Sequence, residues 1–188
     1  MDKSLQLCYN YSVFYASQEA ARSFSLLPTM IVHSLTDISP EMLRERGIKL
    51  LMLDFDNTIV PYVTDVPTPE MEIWLRCMVR VGVQLCVVSN THKERPVKFC
   101  RKYGIPCITH AKKPSTKGLR EAMELFRLTP AECAMAGDQI FTDTLAGRRA
   151  GAKAILVKSI NNHNFWLKAR HVLEKPFIFC ARKRRIKL

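Results

Sequence analysis

The chain has 188 residues, enough for one domain with a proper core. Its apolar share of 47% is ordinary for a globular protein, and no apolar stretch reaches the ~20 residues of a spanning helix. The formal net charge of +12 is not ordinary, and points to an anionic partner such as nucleic acid, an acidic membrane or a phosphorylated substrate. Seven cysteines are scattered without a Cys-x-x-Cys pair, which argues against a zinc site and for a reducing compartment.

In chain order, residues 1–25 read as an N-terminal extension. They lack a basic flank followed by a clean apolar core, so they do not read as a secretory signal. Residues 1–23, poor in acids, with serine, tyrosine and Arg22, are a weak match to a mitochondrial presequence. A short helix is expected from Pro40 to Arg46, with Ser39 as cap and Gly47 as stop. A strand from Lys49 to Asp54 follows, then a flap or loop between Thr58 and Pro67. Thr68-Pro69 begins a helix whose apolar face is Met71, Trp74, Leu75 and Met78; Gly82 ends it. Val83 to Val88 is a second strand, Lys93 to Tyr103 a helix, and Ile105 to Thr109 a short third strand. Ser115 or Thr116 caps a helix bearing Leu119, Ala122, Met123 and Phe126 on one face. Thr129 to Glu132 forms a capping box for one turn. Cys133 to Gly137 is the fourth strand, Thr142 to Ala150 a helix and Lys153 to Val157 the fifth strand. This alternation predicts an α/β fold: a Rossmann-like parallel sheet of about five strands with helices on both faces. The core is placed at residues 26–160 and a separate C-terminal segment at 161–188.

Chemistry collects at the ends of these strands, where open α/β sheets bind ligands. The apolar run Leu50 to Leu53 delivers Asp54 and Asp56, and the backbone has to bend there. Two such carboxylates raise each other's pKa unless a cation lies between them. Ser89 and Asn90 end the second strand and can hold a phosphate oxygen, although Ser89 alone also suits a helix cap. Lys112-Lys113-Pro114 follows the third strand. A lysine there can neutralise charge growing on a phosphoryl group, or belong to a solvated basic turn. Gly137-Asp138-Gln139 with Thr142-Asp143 follows the fourth. Its two acids suit a magnesium ion, a hard cation that takes carboxylate oxygens and water; Asp143 could instead simply favour a helix N-terminus.

Taken together, these four sites resemble the haloacid dehalogenase (HAD) superfamily over residues 48–158. The resemblance implies Asp54 as the nucleophile that becomes an aspartyl-phosphate. Asp56 is implied as general acid and base, its backbone carbonyl also binding Mg²⁺. It also implies Lys113 as the catalytic lysine, with Lys112 as substitute. Thr58, Ser89 and Asn90 become substrate-binding residues, and Asp138 and Asp143 complete the metal set with Asp54 and Asp56. Neither gap between these sites has room for a folded cap, so the site should be open to bulky substrates, unless an oligomer neighbour supplies a lid.

A closer resemblance spans residues 26–175. Leu35 to Pro40, Leu43 to Gly47, Asp54 to Val60, Ala111 to Pro114 and Gly137 to Asp143 are similar to the capless phosphatidylglycerophosphate phosphatases of HAD subclass IIIA. The first two dozen residues exceed what a bacterial member is expected to have. That family implies release of phosphate from phosphatidylglycerophosphate in phospholipid (cardiolipin) synthesis. In the C-terminal segment, Phe165, Trp166, Ala169, Val172 and Leu173 form one helical arc. Lys168, Arg170, His171 and Lys175 fall largely on the other, before the cluster Arg182-Lys183-Arg184-Arg185 and Lys187. Such a stripe can lie on an anionic membrane or pack on the domain. The expected place is cytoplasmic, peripheral on the inner face of a membrane, or on the matrix side in a mitochondrion. Nucleic acid is not expected, because no aromatic interleaving or base-reading motif accompanies the basic tail. The competing readings are a soluble phosphatase for nucleotide, nucleic-acid-end or protein phosphate, and a non-catalytic adaptor for acidic lipid or RNA.

Overall fold

The computed structural model of the protein describes residues 26–160 together with Pro176, Ile178 and Phe179. The expected N-terminal extension and amphipathic basic segment fall outside the described residues. Six strands form one parallel sheet in the order β1-β6-β5-β2-β3-β4. They are β1 (Met30–Val32), β2 (Leu50–Leu53), β3 (Gln84–Val88), β4 (Cys107–Ile108), β5 (Cys133–Gly137) and β6 (Lys153–Val157). Helices α1 (Pro40–Glu45), α2 (Pro69–Arg80), α3 (Arg95–Tyr103), α4 (Lys117–Phe126) and α5 (Leu145–Arg149) connect them. β1 was not legible as a strand: three residues carry no period, and its pairing of Met30 with Ile155 is made across the whole domain. The expected third strand shrinks to two residues, and the helix expected from Thr142 starts as a π-helical turn, Ile140–Thr144, before α5.

β2 lies between β5 and β3 and is buried on both faces, which is why it reads as a continuous apolar run. Its side chains alternate. Leu51 and Leu53 join Leu75, Val87 and Phe99 in one core, whereas Leu50 and Met52 join Val88, Leu119 and Met123 in the other. The helices are cut as their caps dictate. Ser39 Oγ accepts from Met42 N, Thr68 Oγ1 accepts from Met71 N, and Pro40 and Pro69 open their helices. Gly47, at φ 65°, takes the left-handed conformation that turns the chain from α1 toward β2.

Two contacts fix the frame behind the strand ends. Trp74 Nε1 donates to the carbonyl of Ile38 at 2.8 Å, joining α2 to the chain before α1. Glu132 takes a salt bridge from Lys49 Nζ at 2.7 Å and accepts from Thr129 N and Oγ1, at 3.0 and 2.7 Å. Trp74→Phe leaves the Ile38 carbonyl buried without its donor, and should cost about 1–3 kcal/mol in chemical denaturation. Lys49 and the Thr129 donors hold the Glu132 carboxyl well down, at about 2 against an ordinary 4.5. A depressed carboxyl contributes stability above its unfolded pKa that is lost as pH falls through its folded one. Glu132→Gln should therefore lower the melting temperature at pH 7, with the gap to the parent closing between about pH 4.5 and 2.

Candidate active site

The carboxylates expected to carry the chemistry lie at the C-terminal edge of the sheet, around a cleft of about 370 Å³ lined by Asp54, Asp56, Ser89, Lys113 and Asp143 among others. Asp54 leaves the end of β2, its N–H still bonded to Ala136 of β5 at 2.9 Å. The chain then coils back on itself: Ile59 N donates to the Phe55 carbonyl, and Asn57 takes a left-handed φ of 61°. This tight turn lets Thr58 Oγ1 donate to Asp54 Oδ2 at 3.3 Å. It also turns the Asp56 side chain toward α3.

Lys113 stands at the centre, 5% exposed. Its Nζ donates to Asp54 Oδ1 at 2.6 Å and to the Val88 carbonyl at 2.7 Å, and pairs with Asp143 Oδ1 at 2.8 Å. Lys112, the other candidate, is exposed, so Lys113 is the lysine that reaches the carboxylates. The loop carrying it is clamped by Asn90: Asn90 Oδ1 accepts from Lys113 N at 2.6 Å, and Asn90 Nδ2 donates to the Lys113 carbonyl at 2.9 Å. The Asn90 amide thus holds the lysine loop. Ser89, also buried, accepts from Thr91 N at 3.2 Å and keeps its hydroxyl in the cleft wall.

Carboxylate oxygens of Asp54, Asp138 and Asp143 lie within 4.8 Å of one another. Gly137 makes this approach possible, because a Cβ there would overlap the Asp143 carboxylate. Asp143 Oδ2 also accepts from Gln139 N at 3.1 Å, closing the turn after β5. Three carboxylates against one ammonium leave an excess of negative charge in a buried space. Burial and the neighbouring Asp54 push the Asp143 carboxyl up to about 6, against the pull of Lys113. Burial alone would lower the Lys113 ammonium, but Asp143 and Asp54 outweigh it and hold the pKa above its ordinary value. An all-oxygen, carboxylate-rich donor set of this kind fits a hard divalent cation. The Asp56 side chain lies outside the cluster.

Asp56 instead meets Arg95, a residue the sequence did not single out. Arg95 Nη1 donates to Asp56 Oδ1 at 2.9 Å, and Arg95 Nη2 to the carbonyls of Thr64 and Pro61 at 2.7 and 3.5 Å. Arg95 Nε is bonded to Asp65. One guanidinium at the start of α3 thereby ties the acid after β2 to the loop of residues 61–67. Burial raises the Asp56 carboxyl; Arg95 opposes that rise and the Asp54 charge adds to it. In sequence Arg95 reads as a helix residue, since its partners stand 30 and 39 positions away.

Comparison with known proteins agrees with this geometry. Residues 18–160 match the family model described as mitochondrial PGP phosphatase. The chain is 37% identical over 131 residues to the probable phosphatase YqeG of Bacillus subtilis, covering 70% of this chain and 76% of that protein. It is 28% identical over 162 residues to phosphatidylglycerophosphate phosphatase 1, chloroplastic/mitochondrial, of Arabidopsis thaliana; the match covers 81% of this chain but only 44% of that longer protein. Among solved structures, an uncharacterized protein from Listeria monocytogenes superposes with a TM-score of 0.50 at 15% identity, over 63% of this chain and 84% of its own, a likeness of fold. A parallel sheet with acids gathered at one edge and a family match over most of the chain lead to one conclusion: the chain belongs to the mitochondrial PGP phosphatase family of the HAD superfamily and is a HAD-type phosphatase.

Proposed function

We propose that the protein removes the terminal phosphate of phosphatidylglycerophosphate, giving phosphatidylglycerol, in a Mg²⁺-dependent reaction through an aspartyl-phosphate on Asp54. The observation that carries this reading is the gathering of the Asp54, Asp138 and Asp143 carboxylates, two of which pair with Lys113, beside the cleft. The name of the Arabidopsis relative and the family model support the lipid substrate.

In this reading Asp54 is held for attack. Thr58 fixes one carboxylate oxygen, and Lys113 restrains the other while offsetting charge on the phosphoryl oxygens. Ser89 supplies a hydroxyl to the phosphate. Asn90 acts from behind, keeping the Lys113 backbone in place. Carboxylate attack on phosphorus splits hydrolysis into two easier displacements. Asp56, two residues on, protonates the leaving glycerol oxygen and then takes a proton from the water that attacks the intermediate. Its raised pKa favours the protonated form that the first step needs. Mg²⁺ is assigned to the carboxylates of Asp54 and Asp138 and the carbonyl of Asp56, with Asp143 in support, where it would screen the repulsion between nucleophile and phosphate.

No helix of the described residues is long and apolar enough to cross a membrane. We place the protein peripherally on an anionic bilayer, with the basic C-terminal segment as one contact. The location follows the substrate: the inner face of a membrane, or the matrix side in a mitochondrion.

Phosphate release from phosphatidylglycerophosphate in mixed micelles should exceed release from soluble phosphomonoesters, and chelation of divalent ions should stop it. Asp54→Asn should abolish turnover, and activity surviving it would sink the mechanism; Asp56→Asn should cost about 10²–10⁴-fold in kcat. A preference for nucleotides, phosphopeptides or nucleic-acid ends, unaffected by lipid, would replace the substrate assignment and leave the chemistry standing.

Arg95→Ala should lower kcat roughly tenfold to hundredfold, because Asp56 and its loop lose a common anchor. Arg95 favours the ionised form of Asp56, so its removal raises that carboxyl. The proton needed for leaving-group departure is then kept to higher pH. The alkaline limb of kcat/KM should move upward, a shift that general loosening of the fold does not predict.

A further inference from the structure

The loop between β2 and α2 presents three apolar side chains to solvent beside the cleft: Tyr62 at 52% exposure, Val63 at 86% and Val66 at 70%. Its ends are pinned by buried Val60 and Pro67, and its middle is braced from behind by Arg95. The exposure is therefore built into a held loop. Tyr62 also lines the cleft that contains Asp54 and Asp56.

Two properties say what covers this loop. The first is how its backbone is satisfied. Pro61 and Pro67 have no N–H to leave unpaired. Tyr62 N donates to Asn57 Oδ1, Thr64 N to the Pro61 carbonyl and Val66 N to Thr64 Oγ1, while Arg95 takes the carbonyls of Pro61 and Thr64. Backbone groups already paired within the protein lose less when water is displaced from around them, and at these positions they are paired. The second property is charge. Lys93 Nζ stands 5.3 Å from the centre of the Tyr62 ring. Exposed His92 and His110 meet edge to face with ring centroids 4.2 Å apart, and exposed Lys112 follows in the same loop as His110. Of the acids nearby, Asp65 pairs with Arg95, which also holds Asp56, and Glu94 pairs with Lys98. A basic rim repels a second copy of itself and attracts an anionic surface, and tyrosine beside valine is a composition suited to the headgroup boundary.

From this we infer that residues 61–67 dock the open face of the active site onto an anionic lipid bilayer. Val63 and Val66 enter the headgroup boundary, and Lys93 meets the lipid phosphates. Docking brings the cleft over headgroups lying in the membrane plane, so the substrate phosphate reaches Asp54 without leaving its bilayer. This contact is additional to the basic C-terminal segment. It rests on the lipid-phosphate reading for its purpose, but the test separates the two.

The test uses the full chain and vesicles of equimolar phosphatidylcholine and phosphatidylglycerol. A Val63→Trp variant should show quenching by brominated lipid beyond that of the parent, whose own tryptophans set the background. Val63→Asp/Val66→Asp should hydrolyse p-nitrophenyl phosphate at the parental rate while losing roughly tenfold in turnover of vesicle-borne phosphatidylglycerophosphate. No excess quenching, together with parental turnover on vesicles, overturns the docking. A change in solution mass of the double Asp variant, seen by analytical ultracentrifugation, also overturns it and makes the loop a contact between copies. Excess quenching in a protein that leaves phosphatidylglycerophosphate intact supports the docking and overturns the substrate assignment instead.

Discussion

The site is organised by one buried ammonium. Lys113 Nζ has three hydrogens to donate and finds three acceptors: Asp54 Oδ1, Asp143 Oδ1 and the Val88 carbonyl. Those acceptors come from the ends of β2 and β3 and from the turn after β5, three adjacent strands of the sheet. Removing an ammonium from water costs several kcal/mol, and only full pairing offsets it. The structure meets that condition by bringing the strand ends together at hydrogen-bond distance. The same convergence concentrates carboxylates where a cation and a phosphate can meet. Removing either partner carboxylate would leave the buried ammonium one acceptor short, so the fold's local integrity and the site's electrostatics rest on the same contacts.

Topology explains why this happens beside β2. The chain continues from β2 to β3 on one side and later returns with β5 on the other. The connection from β2 runs to β3 on one side and that from β5 runs to β6 on the other, which opens a crevice between the C-terminal ends of β2 and β5. Asp54 stands at that opening, and Lys113 and Asp143 reach it from the two sides. Gly137 completes the arrangement, since any side chain there would displace Asp143.

Arg95 plays a corresponding part at the rim. It joins Asp56 to the loop of residues 61–67, so the acid–base candidate and the exposed apolar edge share an anchor. Anything that presses on the loop therefore bears on Asp56 through Arg95.

The sequence alone determined the repeating alternation of strand and helix, the doubly buried β2 run and the placing of Asp54, Ser89, Lys113 and Asp138 after successive strands. Those features are local: a burial period, a cap, a polar residue where an apolar run stops. It also determined the helix face of Met71, Trp74, Leu75 and Met78, all of which are buried. Tertiary structure alone decided that Asn90 clamps the Lys113 loop, that Met30–Val32 makes a sixth strand, and that Arg95 belongs to the site. The reason is separation along the chain. Lys113 meets Asp54 across 59 residues, and Arg95 meets Asp56 across 39. No periodicity within a window can report a partner that only the packing of the sheet brings near.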